Sequence, residues 1–161
     1  MTEVRFFPPP QINNMKVAQN SIQIELHVPD FEVVKEFYGK LGFHIEWEWK
    51  PNGEKGYLVI RKGDNILCFW PGNESVRDQS YFKNFPSNTK RGFGVEIAII
   101  DDNIDDLYKN AKTFAKIVDP LQVQPWGLKD FRIEDPFGFY LKFTEPHNIL
   151  EYHDVLKKNN S

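Results

Sequence analysis

Gln23, Glu25 and His27 alternate with Ile22, Ile24, Leu26 and Val28. A period of two marks a half-buried strand. An amide, a carboxylate and an imidazole are therefore expected together on one face, away from the core. Such a set can exchange hydrogen bonds with a ligand, hold a cationic group, or offer metal ligands. A second strand over residues 95–100 places Glu96 and Ala98 on a comparable face. The other chemistry-bearing residues are sparse. Cys68, the only cysteine, lies in the apolar run ILCFW. It reads as a buried, inert thiol, and alone it excludes an intrachain disulfide or a multi-cysteine metal site. His27, His44, His147 and His153 show no ligand spacing, and no glycine-rich phosphate loop is present. Glu46 and Glu48 read as the solvated face of a strand.

The elements that position these residues recur in two rounds. Residues 22–28 form the first strand, and Asp30 after Pro29 is a good N-cap. Val33 or Val34, Phe37, Tyr38 and Leu41 then recur at helical spacing, and Gly42 ends the helix. Residues 43–49 alternate again, with Phe43, Ile45, Trp47 and Trp49 against His44, Glu46 and Glu48. A turn at Pro51-Asn52-Gly53 leads to strands at 56–61 and 66–70, joined by Lys62-Gly63-Asp64-Asn65. The unit is β-α-β-β-β. After a polar stretch it returns: a strand at 95–100, Asp101 and Asp102 as cap candidates, and a helical stripe of Ile104, Leu107, Tyr108 and Ala111. A short strand opening at Ile117-Val118 follows, and then a hairpin.

That hairpin is the most distinctive stretch, QVQPWGLKDFRIEDPFGFYLKF over residues 122–143. Pro125 and Gly127 bracket Trp126 in a tight loop. Phe131 and Ile133 alternate with Arg132 and Glu134. Asp135-Pro136-Phe137-Gly138 supplies a turn, since proline pre-sets one dihedral and glycine takes a positive φ freely. Tyr140 and Lys142 then oppose Leu141 and Phe143.

A chain of 161 residues with net charge −3 and 40% hydrophobic residues is an ordinary soluble composition, long enough to bury a core without staples. The acidic balance argues against nucleic acid as partner. No apolar run approaches the ~18–20 residues of a membrane span, and the N-terminus has no long apolar stretch of a signal peptide. A cytoplasmic location is the expectation. The expected organisation is an N-terminal arm at 1–20, a first module at 21–70, a linker at 71–91, a second module at 92–146 and a C-terminal helix and tail at 147–161.

The PWG loop, the Phe-bearing strand, DPFG and the final strand together resemble the C-terminal end of the vicinal oxygen chelate superfamily. That group holds glyoxalase I, extradiol dioxygenases, fosfomycin-resistance enzymes and bleomycin-resistance proteins, and the stretch looks most like the bleomycin-resistance branch. The resemblance spans about residues 21–146. It implies an α+β fold in which two βαβββ modules form a curled half-barrel sheet around a cavity. In metal-using relatives the first and fourth strands of each module supply the ligands. Carried over, these positions fall on Gln23, Leu67, Glu96 and Lys142. Leucine cannot coordinate and a lysine ammonium repels a cation. Gln23 and Glu96 remain as weak metal candidates, no cofactor is expected, and catalytic residues stay unassigned.

The residues expected to face the cavity are Gln23, Glu25, His27, Leu67, Phe69, Glu96, Ala98, Tyr140 and Lys142, with Trp126 near its rim and Trp47, Trp49 and Tyr57 on neighbouring strands. Flat apolar surfaces with a few charges suit a planar or amphipathic small molecule. The expected function is a metal-free binding protein resembling bleomycin-resistance proteins, which sequesters an aromatic or cationic ligand. The resemblance further implies a homodimer. The alternative is a metal-dependent glyoxalase-like lyase or dioxygenase with an atypical ligand set.

Overall fold

The computed structural model describes residues 22–71, 76 and 79–151. The expected arm at 1–20 and most of the C-terminal tail lie outside the described residues, as do parts of the linker. Residues 147–151 carry only a turn at 149–151.

The order of elements is β1 (Glu25–Val28), α1 (Phe31–Lys40), β2 (His44–Trp49), β3 (Tyr57–Lys62), β4 (Asn65–Pro71), β5 (Glu96–Ile100), α2 (Ile104–Ala111), β6 (Lys116–Val123), β7 (Lys129–Glu134) and β8 (Tyr140–Thr144). The strands make two four-stranded sheets. Sheet A runs β1-β4-β3-β2 and sheet B runs β5-β8-β7-β6. In each, the first strand pairs in parallel with the fourth, and the other pairings are antiparallel. This is βαβββ twice, an α+β architecture with no closed barrel.

Both helices start where side chains cap them. Asp30 accepts the Glu32 N–H at 2.8 Å, and Gly42, with φ +90°, follows the end of α1 as expected. In the second module the cap is Asn103, not Asp101 or Asp102. Asp101 is buried and engaged elsewhere, paired with Lys62 of β3 and accepting the Asn103 N–H. That pair ties the modules together. So does Tyr38, fully buried on α1, whose hydroxyl donates to Asp135 at 2.9 Å in the β7–β8 turn. Asp135 also accepts the Phe137 and Phe139 N–H groups. Phe37 meets Phe114 edge to face at 5.5 Å, and Asn110 donates to the Lys40 carbonyl.

One core serves both modules. Leu26, Val28, Leu58, Ile60, Leu67 and Phe69 from sheet A join Ile97, Ile99, Phe131, Ile133, Leu141 and Phe143 from sheet B, together with buried side chains of both helices. Each fully buried side chain of this size contributes about 1.5–3 kcal/mol. Each sheet thus has a core face and an open face.

Two expectations change here. Leu67 and Phe69, expected to face the cavity, are 2% and 0% exposed on the core face. The parallel pairing sets Glu25 opposite Cys68 and His27 opposite Trp70, so Cys68 and Trp70 share the open face. The alternation of β2 also breaks. Ile45 pairs with Ile60 and Trp47 with Val59, leaving Glu46 unpaired as a bulge. An extra residue inverts side-chain parity beyond it. Phe43 therefore enters the core, while Trp47 and Trp49 lie on the open face.

Candidate functional site

Glu25 is the centre of the open face of sheet A. Its Oε1 accepts the Tyr57 hydroxyl at 2.5 Å and the Gln23 amide at 2.8 Å, and its Oε2 accepts the Trp70 indole N–H at 3.1 Å. Gln23 also donates to the Tyr57 oxygen at 2.8 Å. Burial works against the Glu25 charge, but the bonds from Tyr57, Trp70 and Gln23 outweigh it and hold the carboxyl below its ordinary range. All three donors are neutral, and no lysine or arginine pairs with Glu25 among the described residues.

Aromatic rings frame this carboxylate. Trp70 meets Tyr57 edge to face at 4.9 Å, and Trp47 stacks on Tyr57 at 5.4 Å with 22° between planes. Trp47 remains 49% exposed, so the indole presents surface to solvent beyond Tyr57. Trp49, 37% exposed, lies against the backbone of Gly56: a Cβ added there would sit 2.2 Å from its ring. Only glycine admits the indole in this position. His27 lies between Trp70, parallel at 6.4 Å, and Phe82, tilted at 5.9 Å. Its Nδ1 is buried with no hydrogen-bond partner among the described residues, and its backbone carbonyl accepts Arg91 Nε at 3.0 Å. Burial pushes the imidazole pKa down, with Arg91 adding to that and Glu25 opposing it. Cys68, 4% exposed beside Glu25, has its thiol pushed up by burial. That environment disfavours a thiolate.

The open face of sheet B is built differently. Arg132 donates to Glu96 at 2.7 Å, to Asp130 at 2.8 Å and to Asp119 at 3.0 Å. Asp130 is fully buried, with Gln124 on the same oxygen and its Oδ2 without a partner among the described residues. Burial works against the Arg132 charge, and the Glu96 and Asp130 carboxylates raise its pKa beyond that effect. Tyr140 lies opposite Glu96, and Lys142 lies between Ala98 and Arg132, both half-buried. A cleft of about 460 Å³ opens beside Glu96, Val118 and Tyr140 under the loop of Phe93 and Val95. Trp126 sits half-buried in the β6–β7 loop, where Gly127, at φ +90°, donates to the Gln124 carbonyl at 2.8 Å. That loop is at the Asp130–Thr144 end of the sheet, opposite the end where Glu96 meets Tyr140.

The structure therefore gathers Gln23, Glu25, His27, Trp47 and Trp49 on one surface. It places Glu96, Tyr140 and Lys142 on a second surface, Trp126 at the far end of that sheet, and Leu67 and Phe69 in the core. Sequence reasoning missed Trp70, which shares the parity of Cys68, and it missed the Arg132 cluster. The alternation of Asp130 and Arg132 with Phe131 and Ile133 on one strand was the available signal for the latter. A cleft of about 740 Å³ between the β3–β4 turn and the β5–α2 turn contains none of the sequence-predicted site residues. For a metal, the donor set does not fit. Among the described residues no group of three or more His, Cys, Asp or Glu is arranged to hold an ion. Beside Glu25 stand a protonated thiol and an indole, and Glu96 is held by Arg132.

With this geometry, comparison with known proteins is decisive for the family. The family model for the glyoxalase/bleomycin resistance protein/dioxygenase superfamily matches residues 21–143. The chain belongs to this superfamily. A search of the curated proteins finds no match. Among solved structures, TioX from Micromonospora sp. ML1 is 19% identical with a TM-score of 0.59, over 80% of this chain and 98% of that one. A bleomycin-binding protein complexed with bleomycin is 19% identical with a TM-score of 0.56, over 80% of this chain and 100% of that one. A bleomycin resistance determinant encoded on transposon Tn5 is 19% identical with a TM-score of 0.57, over 81% and 100%. At such identities the likeness is one of fold, and it places this superfamily member among bleomycin-resistance-like folds. No helix among the described residues is long and apolar enough to cross a membrane.

Proposed function

We propose that the protein binds an aromatic or cationic small molecule on the open face of sheet A and acts by sequestering it, without metal chemistry. Glu25 carries the reading. A carboxylate held ionised by neutral donors, inside a frame of Tyr57, Trp70 and half-exposed Trp47, supplies charge and stacking surface together. Gln23, His27 and Trp49 complete that wall. The fold likeness to a bleomycin-binding protein complexed with bleomycin supports a binding role, with bleomycin as one ligand to be tried. The protein acts as a cytoplasmic homodimer, in which the sheet B face with Glu96, Trp126, Tyr140 and Lys142 closes over the ligand from a second copy. The exposure of Trp47, Trp49 and Ile66 on one face, and of Val118 and Val123 on β6, supports such a cover. The poor donor set around Glu25 and Glu96 supports the metal-free reading.

Titration of tryptophan fluorescence with bleomycin and a panel of aromatic cations tests this. Saturable quenching by at least one compound is expected, and no saturable change with any would sink the proposal. Elemental mass spectrometry of protein purified without chelator is expected to show no stoichiometric transition metal. A stoichiometric one would revive the lyase or dioxygenase alternative. Light scattering is expected to give twice the 18.9 kDa chain mass.

A further inference from the structure

The wall around Glu25 differs from an ordinary amine-binding carboxylate in one respect. A carboxylate offers about four acceptor positions. Three of them are taken by the protein's own Tyr57 hydroxyl, Gln23 amide and Trp70 indole. Each of these donors is neutral, so the acceptor capacity is largely consumed while the negative charge stays. The one remaining position meets a single ligand donor; any further hydrogen bond from a ligand must displace one of these donors, and Tyr57 and Trp70 are ring-packed in place. A ligand that brings positive charge without N–H donors loses nothing on arrival. It gains the field of Glu25 and the ring faces, Trp47 foremost. Dehydrating a primary ammonium without replacing its hydrogen bonds is costly, whereas a quaternary or ring-alkylated nitrogen has none to replace.

Resting on the binding role proposed above, we propose that this face selects permanently charged organic cations that lack hydrogen-bond donors, such as flat N-alkylated heteroaromatic cations, over ammonium ligands of the same size. His27 on the same strand face carries no charge of its own near neutral pH, so it leaves the Glu25 field uncancelled.

Three matched probes test this: N-methylquinolinium, naphthylmethylammonium and neutral 1-methylnaphthalene, titrated by tryptophan fluorescence at pH 8 against the full chain. The expected order is quinolinium tightest, by about tenfold over the neutral ring and several-fold over the ammonium. In Glu25→Gln the advantage over the neutral ring should shrink to within about threefold. Glu36→Gln, which removes a charge from the outer side of α1, should leave the order intact. Binding of the ammonium as tightly as the quinolinium would overturn the donor-free selection while leaving a cation site standing. Equal binding of all three would overturn selection by charge and leave only an aromatic site. Saturable binding by none, with bleomycin also inert, would remove the binding role itself. A thermal melt of Glu25→Gln matching wild type ties the change to the site rather than to folding.

Discussion

Glu25 and Glu96 stand on the first strands of two modules with the same topology, each on the open face of its sheet, and they have opposite surroundings. Glu96 is paired with Arg132, which also holds Asp119 and fully buried Asp130. Glu25 is held by a phenol, an indole and an amide, with no lysine or arginine paired to it among the described residues. The first arrangement is an ion network: one guanidinium draws on three carboxylates and braces strands β5, β6 and β7. The second leaves a charge seeking a partner. Repeated architecture thus yields one carboxylate built into an ion-pair network and one, at the centre of the proposed binding wall, met by neutral donors. The difference lies in the type of donor set beside the carboxylate.

The comparison can be broken most severely at Arg132. Arg132→Met leaves Asp130 buried with an uncompensated charge, and loss of one partner of a buried pair costs about 3–5 kcal/mol. Denaturant unfolding should show a loss of that order. A loss under about 1 kcal/mol would mean that sheet B is not braced by this network. Glu25→Gln sharpens the contrast from the other side. Stability should move by no more than about 0.5 kcal/mol, as for a surface substitution, while affinity for an aromatic cation falls about tenfold in the fluorescence titration. Trp47→Ala is smaller again: stacking of this kind is worth about 0.5–1.5 kcal/mol, so a several-fold loss is expected, larger for a charged ring, which also loses its cation–π contact.

The smallest effect is in pH. The His27 pKa lies below its usual 6.5 and that of Glu25 below its usual 4.5. A depressed pKa favours the deprotonated form in the folded protein. The stability linked to His27 is therefore complete above 6.5 and is lost as pH falls through its lowered pKa. Over the same fall a positive imidazole appears beside Glu25, so cation affinity should decline modestly between 6.5 and 4.5 while Glu25 stays ionised. His27→Phe should flatten that decline. An equal decline in the variant would assign it elsewhere.

Much of the fold was legible because its signals are local. Asp30 caps α1 as its position before the helical stripe implies, and Gly138, with φ +99°, makes the turn that DPFG announces. Strand β8 shows the expected sides, with Leu141 and Phe143 buried and Tyr140 and Lys142 half-buried. The candidate site was half legible. Gln23, Glu25 and His27 could be read from polar alternation against an apolar partner row. Strand β4 could not, because both of its faces are apolar: Leu67 and Phe69 go to one side, Cys68 and Trp70 to the other. Strand β2 misled for another reason. Its bulge at Glu46 inverts parity midway, and a bulge is set by pairing with β3 and not by composition. Asp101 was read as a cap because it stands beside the helix start, but Lys62, distant in sequence, claims it.

What the sequence by itself determined is the pair of βαβββ units, their helix starts, their turns and the polar row on β1, since each depends on neighbours a few residues apart. Only the tertiary structure decided which face of β4 looks outward, that Tyr57 and Trp70 reach Glu25, and that Arg132 pairs with Glu96. These follow from register between strands separated by tens of residues. In such pairing a shift of one position sends every side chain to the other face.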